Sequence, residues 1–290
     1  SRRPSMGGAG SAIKVRLMIA LAIVLFSVVS YYMGTSKNPV TGENERVAMD
    51  VDQEIAMGLQ AVDEVIAQHK GEIHPGTVEH ARVDRIGDEL LQALDKELES
   101  KGLSNPYREK FEFHLLADEQ TVNAFALPGG QVFVTWALYE RLDEQNDDEL
   151  AGVIGHEIGH VLARHGAKRL AKQKLSQGIS GAVGVAAGDQ RSSQMAAAVA
   201  NMVNMTYGRQ DELESDSWGV KLMAMAGYDP YALIGVMKVL EEASGGSKQP
   251  EFLSTHPKPA NRIEYIKRVI EATLPERPLP DGEVPERPLR

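Results

Sequence analysis

The stretch VIGHEIGHVLARH, residues 153–165, limits the fold more than any other part of the chain. Read as a helix, it carries Val153, Ile154, Ile158, Val161 and Leu162 almost all the way round, so it belongs inside a core. Polar side chains on a buried helix must be matched by partners brought in from elsewhere. Gly155 and Gly159 each cost about 1 kcal/mol relative to alanine in mid-helix, which points to an element packed closely against them. NDDEL marks the start, with Asn146 as N-cap, Glu149 closing a capping box, and two aspartates suiting the positive helix end. The helix is expected to run to about His165.

On such a helix His156 and His160 lie four apart on one face, with Cβ atoms about 5–6 Å from each other, so both can direct a ring nitrogen at one ion. Glu157 is turned about 100° further round and can reach a water beside that ion. The pattern recurs by chance, so it needs a third ligand. Cysteine is absent, which removes thiolate sites, disulfides and cysteine nucleophiles and leaves His, Asp and Glu to hold any metal. DELESD, residues 211–216, supplies the carboxylates. Glu212 and Asp216 are again four apart on one face, so one can bind an ion while the other accepts a hydrogen bond from a ligand histidine. Glu214 points away from that face, and Asp211 is a candidate cap.

The rest of the chain organises around this helix. Residues 1–16 are basic, and residues 17–33, LMIALAIVLFSVVSYYM, carry no charge. That length is the short limit for a membrane span of about 20 residues and exceeds a usual signal core, so a transmembrane anchor is expected, with a cleavable signal sequence as the alternative. Basic residues before the segment and Glu43, Glu45 and Asp50 after it put the remainder outside the cytoplasm. Residues 34–45 read as a linker, residues 46–272 as one α+β, mostly helical domain, and residues 273–290 as a proline-rich disordered tail. Apolar spacing marks helices through Val51–Ile66 and Val83–Leu94, KFEFHLLAD (110–118) alternates as a strand does, and NAFALPGGQVFVT (123–135) reads as two short strands about a turn. Gly227 should stop the helix carrying DELESD, Asp229 and Pro230 should start the next, and another should begin near Pro259. The Gly- and Ala-rich stretch 166–208 reads as mobile helices or a lid over the groove. A formal charge of −10 offers no basic surface for phosphates, so nucleic acid is not an expected partner.

HEIGH, ELESD in the ExxxD form, NAFALPGGQVFV before them and STHPKPANRI after them together resemble the CAAX prenyl protease family of HExxH zinc metalloendopeptidases, in its bacterial envelope branch of the BepA and LoiP kind. The resemblance covers about residues 38–270. It implies a zincin-like domain with a small sheet beside the HExxH helix and one Zn2+ per chain on His156, His160 and Glu212. Glu157 would be the general base, and Asp216 would orient a ligand histidine. It also places His256 near the metal, either as a ligand holding the enzyme latent or as an oxyanion donor with Arg262 as a nearby cation. Residues Asn123, Ala124, Phe125 and Ala126 would form an exposed strand edge that pairs with extended substrate. The expected function is hydrolysis of unfolded or misassembled envelope proteins. The competing reading is a periplasmic chaperone or assembly factor with structural zinc, and an aminopeptidase is a third. Substrate and oligomeric state are not legible.

Overall fold

The structure, a computed structural model, describes residues 7–47, 49–187, 207–243, 251–256 and 261–274. Helix α1 spans Gly7–Met33, and within it Ile13–Met33 is long and apolar enough to cross a membrane. The expected linker is not irregular. It contains strands β1 (Thr35–Lys37) and β2 (Asn44–Arg46), paired antiparallel. Asn38 makes the turn: its Oδ1 accepts from the amides of Val40 and Thr41, and its Nδ2 donates to the Leu162 carbonyl at 2.8 Å. An asparagine that closes its own turn thus also satisfies a helix C-terminal carbonyl that has no partner within its helix.

Helix α2 (Val51–Gln68) starts from a capping box of Asp50 and Gln53, and α3 (Val78–Ser100) from Thr77. The expected strands are present as β3 (Glu112–Leu116), β4 (Ala124–Leu127) and β5 (Gln131–Thr135). Their order is β3-β5-β4, with β5 parallel to β3 and antiparallel to β4. Gly129 and Gly130 turn the chain between β4 and β5 at φ 89 and 119. A Cβ on Gly129 would lie 2.4 Å from the Cα of Ile55 in α2, so only glycine fits this turn.

The short helix α4 (Trp136–Tyr139) leads to α5 (Asp148–Leu162), in which every residue from Leu150 to Leu162 is buried. Its ends differ from expectation. Asn146 Oδ1 accepts from Asp148 N, but Glu149 receives the Asp143 amide, so the capping box does not close. The helix stops at Leu162 because Arg164 turns to φ 54, and His165 opens a new helix, α6 (His165–Ala187). Rather than lying as a lid, α6 packs along α1, where small residues such as Ser27 and Gly178 let the backbones approach. Residues 188–206 of the expected lid lie outside the described residues.

Helix α7 (Arg209–Ala226) ends at Gly227 in the left-handed conformation, and α8 (Ala232–Ala243) follows Asp229, whose side chain accepts from Tyr231 N. Helix α9 is Glu251–Thr255 and α10 is Arg262–Thr273. The Pro259 start and residues 275–290 lie outside the described residues. The core joins α3, α5, α7, α8, α10 and one face of the sheet. Gly155 and Gly159 mark the close approach of α5 to α7: a Cβ on Gly155 would sit 3.4 Å from Gly219 Cα, and one on Gly159 2.8 Å from Ser215 Oγ and from Trp218 Cβ.

Candidate metal centre

Two helices with glycines at their crossing bring their polar residues face to face in a region without solvent. His156, Glu157 and His160 on α5, Glu212 and Asp216 on α7, and His256 just after α9 are all at most 2% exposed. The Nε2 atoms of His156 and His160 lie 3.1 Å apart. His256 Nδ1 is 3.4 Å from His156 Nε2 and 3.0 Å from Glu212 Oε1, which is itself 3.5 Å from His160 Nε2. One donor atom from each of His156, His160, Glu212 and His256 lies within 4.8 Å of all the others. His256, in a loop by sequence, is fully buried inside this group.

Burial, reinforced by His156, His165 and His256, pushes His160 well below its usual pKa and keeps a lone pair on the ring. Burial would raise Glu212, but His256, His156 and Arg262 outweigh it and hold the carboxylate ionised. Burial would lower His256, yet Glu212 and Glu157 together raise it. A cation among these groups would compete with that proton through its own charge. Both oxygens of Glu157, one of Glu212 and the Nε2 of His256 are buried without a hydrogen bond. Clustered imidazoles and carboxylates with unsatisfied lone pairs fit a divalent ion of zinc type, which takes nitrogen and oxygen donors. Glu157 itself is pushed up, chiefly by burial.

The ligand rings are held from behind. Asp216 Oδ1 accepts from His156 Nδ1 at 3.0 Å, which leaves Nε2 facing the group. Asp216 is kept ionised against its burial by Arg262, whose Nε and Nη2 donate to its two oxygens at 2.6 and 2.7 Å. Arg262 Nη1 also lies 3.1 Å from Glu212 Oε2. Its guanidinium, expected as a nearby cation, therefore fixes two of the three carboxylates of ELESD, Glu212 and Asp216. The 3.3 Å approach of Nη2 to His156 Nδ1 sets donor against donor and adds no bond.

His165 was given no role in the sequence and Glu214 only a direction away from the site, yet both take part. His160 Nδ1 meets His165 Nδ1 at 2.8 Å, and His165 Nε2 meets Glu214 Oε2 at 3.1 Å. With Nε2 of His160 turned to the ligand group, its Nδ1 donates to His165, and His165 donates from Nε2 to the carboxylate. Glu214 does face away from the ligands, as its spacing implies, yet it steadies one of them through a second ring. The available signal was His165 itself, a third histidine on an apolar stretch that would not bury it without a partner.

The strand expected as an open edge is placed differently. Ala124, Phe125 and Ala126 are buried, because one face of β4 joins the main core and the other packs Phe125 on Phe133. Among the described residues β4 pairs only with β5, so its far edge carries no strand partner. Asn123, also buried, leaves both side-chain polar atoms without a hydrogen bond. Two rings cover the ligands: Tyr207 stacks on His160 at 3.9 Å and Phe252 on His256 at 4.4 Å.

Residues 79–270 match the model of peptidase family M48. The chain is 31% identical over 236 residues to the beta-barrel assembly-enhancing protease of Escherichia coli K12 and 29% identical over 235 to that of Yersinia pestis, covering 78% of this chain and 45% of each relative. It is 30% identical over 261 residues to the mitochondrial metalloendopeptidase OMA1 of Schizosaccharomyces pombe, covering 88% of this chain and 71% of that one. The chain thus spans less than half the length of the bacterial relatives it matches.

Proposed function

Because the chain belongs to peptidase family M48, we propose that it is a zinc-dependent metalloendopeptidase, anchored in the inner membrane by α1 with its catalytic domain on the periplasmic side, that hydrolyses unfolded or misassembled envelope proteins. The observation that carries this reading is the convergence of His156, His160, Glu212 and His256 beside Glu157, whose carboxylate accepts no hydrogen bond and lies 3.7 Å from His256 Nε2. The bacterial envelope branch is favoured because, among the described residues, one helix N-terminal to the domain is long and apolar enough to cross a membrane and two of the relatives are named for β-barrel assembly.

When bound at His156, His160 and Glu212, zinc supplies Lewis acidity that acidifies water and polarises a carbonyl. Glu157 takes the water's proton and delivers it to the departing amine, a task suited to a carboxylate whose pKa is lifted by burial. Asp216 and the His165–Glu214 pair keep the ligand rings turned inward. The unpaired edge of β4 and the amide of Asn123 accept extended substrate by backbone hydrogen bonds, which favours unfolded segments over a particular sequence. Four protein donors make a closed set, whereas a catalytic zinc keeps one position open. We therefore read this arrangement as latent, with His256 in the position that substrate chemistry needs. His256→Ala should raise peptidase activity; a fall in kcat of about 10²-fold would assign His256 to the oxyanion instead.

Glu157→Gln should keep wild-type zinc content and lose casein cleavage by about 10²-fold or more. Undiminished cleavage would overturn the enzymatic reading, and full rescue of envelope function by the inactive variant would favour a chaperone.

A further inference from the structure

Helix α6 runs antiparallel to α1. Ala171, Lys174 and Leu175 line one cleft with Ser30, Tyr31, Gly34 and Val47. Further along α6 and further back along α1, Gly178 meets Ser27 so closely that an added Cβ would lie 2.0 Å from the serine Oγ. On α1 the covered positions are Ala20, Ile23, Val24, Ser27, Val28 and Tyr31, a stripe at helical spacing. Away from the stripe, Leu21, Leu25 and Phe26 are 69, 62 and 73% exposed. Such side chains belong in hydrocarbon, not in water.

The depth of the contact follows from helix geometry. The apolar window of α1 is 21 residues, Ile13–Met33, about 31 Å at 1.5 Å per residue, which is the thickness of a bilayer core. Ser27 is six residues inside its outer end, about 9 Å deep. A helix touching Ser27 is at that depth too. By the same rise, Ala187 at the end of α6 lies about 14 Å deeper than Gly178.

The sequence of α6 changes character at the matching height. Lys168, Arg169, Lys172 and Lys174 precede the crossing, and no charged residue follows from Leu175 through Gly188. The last lysine is level with Tyr31 and Gly34, where the apolar window of α1 ends. Lysines placed there extend to anionic headgroups while their stems cover apolar surface.

We propose that α6 enters the bilayer beside α1, with Leu175–Ala187 embedded as a second, partial membrane helix and Lys172 and Lys174 at the headgroups. This rests on α1 being a membrane span. Thirteen residues, Ser176, Gln177 and Ser180 among them, would not insert alone. Close packing such as that of Gly178 on Ser27 of the inserted anchor supplies the association, and a helix satisfies its own backbone in lipid. His165 stands nine residues before Lys174, about 14 Å along the helix, so the ligand group it contacts is held close above the membrane. The substrates it reaches are the juxtamembrane segments of membrane-bound polypeptides.

The cysteine-free chain allows a direct test on the whole chain in liposomes of phosphatidylethanolamine and phosphatidylglycerol. Single cysteines replace Lys172, Ile179 and Leu21, all exposed positions, and zinc content is checked for each. With a membrane-impermeant maleimide, Ile179→Cys and Leu21→Cys should react about tenfold or more slowly than Lys172→Cys. A bimane on Ile179→Cys should be quenched by nitroxide-labelled acyl chains, which separates lipid contact from burial in protein. Rapid labelling and no quenching at 179, with position 21 still protected, would overturn the embedding of α6 and leave the anchor standing. Rapid labelling at position 21 as well would overturn the anchor and α6 with it.

Discussion

Gly159 sits where the two ligand-bearing helices touch, and replacing it by alanine sets two opposed effects against each other. Helix propensity favours alanine by about 1 kcal/mol. Against that, the new Cβ would lie 2.8 Å from Trp218 Cβ and Ser215 Oγ and 3.0 Å from the Ser215 carbonyl oxygen. None of these is the free end of a long side chain: Trp218 Cβ is fixed to α7, and Ser215 Oγ donates to the His156 carbonyl. Ordinary contact needs roughly 3.5 Å or more, so the helices must part by several tenths of an ångström, at an overpacking cost of about 1–3 kcal/mol. The displacement is transmitted to chemistry, because His156 and His160 ride on α5 and Glu212 on α7, and a metal site tolerates only about 0.2 Å in its ligand distances. Gly159→Ala should therefore weaken zinc binding about tenfold or more, measured by competition with a chromogenic chelator, and lower thermal stability. Gly155→Ala is the internal control. Its Cβ would meet Gly219 at 3.4 and 3.5 Å, ordinary contact, so propensity prevails and stability should hold or rise with zinc affinity unchanged. Equal behaviour of the two variants would refute the reasoning.

Glu54 should give a pH signature away from the metal. Burial, opposed by hydrogen bonding and charge from Arg164, pushes its carboxyl up to about 7 from 4.5. The folded state then holds this proton more tightly than the unfolded state, so stability is lost as pH rises from about 4.5 to about 7. Glu54→Gln should gain on wild type across that window, by at most about 3 kcal/mol, in urea denaturation at several pH values; a variant that loses ground as pH rises would reverse the assignment. Asp216→Asn and His165→Phe each remove a support from behind a ligand ring and should each weaken zinc binding about 10- to 100-fold, and wild-type affinity in either would deny that residue its positioning role.

The parts legible in the sequence were those whose signal is local. The apolar girdle of α5 announced burial, the alternation in 110–118 and 123–135 announced the strands, and Gly155 and Gly159 announced a close neighbour without identifying it as α7. What escaped depended on partners far along the chain. Asn38 lay unremarked in the linker because its bond to Leu162 spans 124 positions. Glu149 fitted a capping box until Asp143 N, six residues back, took its carboxylate. The stretch 166–208, rich in Gly and Ala, read as mobile helices or a lid, since nothing in its own composition says that residues 166–187 suit the face of α1. His165 was passed over because the HExxH spacing drew attention to two rings and gave no place to a third.

Arg164 is the whole connection between α5 and α6 apart from Ala163, and it has no slack. It holds a left-handed turn, and its buried guanidinium donates to Glu54, to Ser36 Oγ and to the Met49 carbonyl. A non-glycine residue in that conformation carries a cost that its surroundings must over-determine, and here three segments of chain do so. Mechanically this is a clamped elbow between a short arm, α5, and a long one, α6, whose 23 residues reach about 34 Å. A joint held in this way passes force on the long arm toward the short one, where His156 and His160 stand. In the bilayer placement proposed for α6, a force on the membrane would thereby become a force on the ligand geometry.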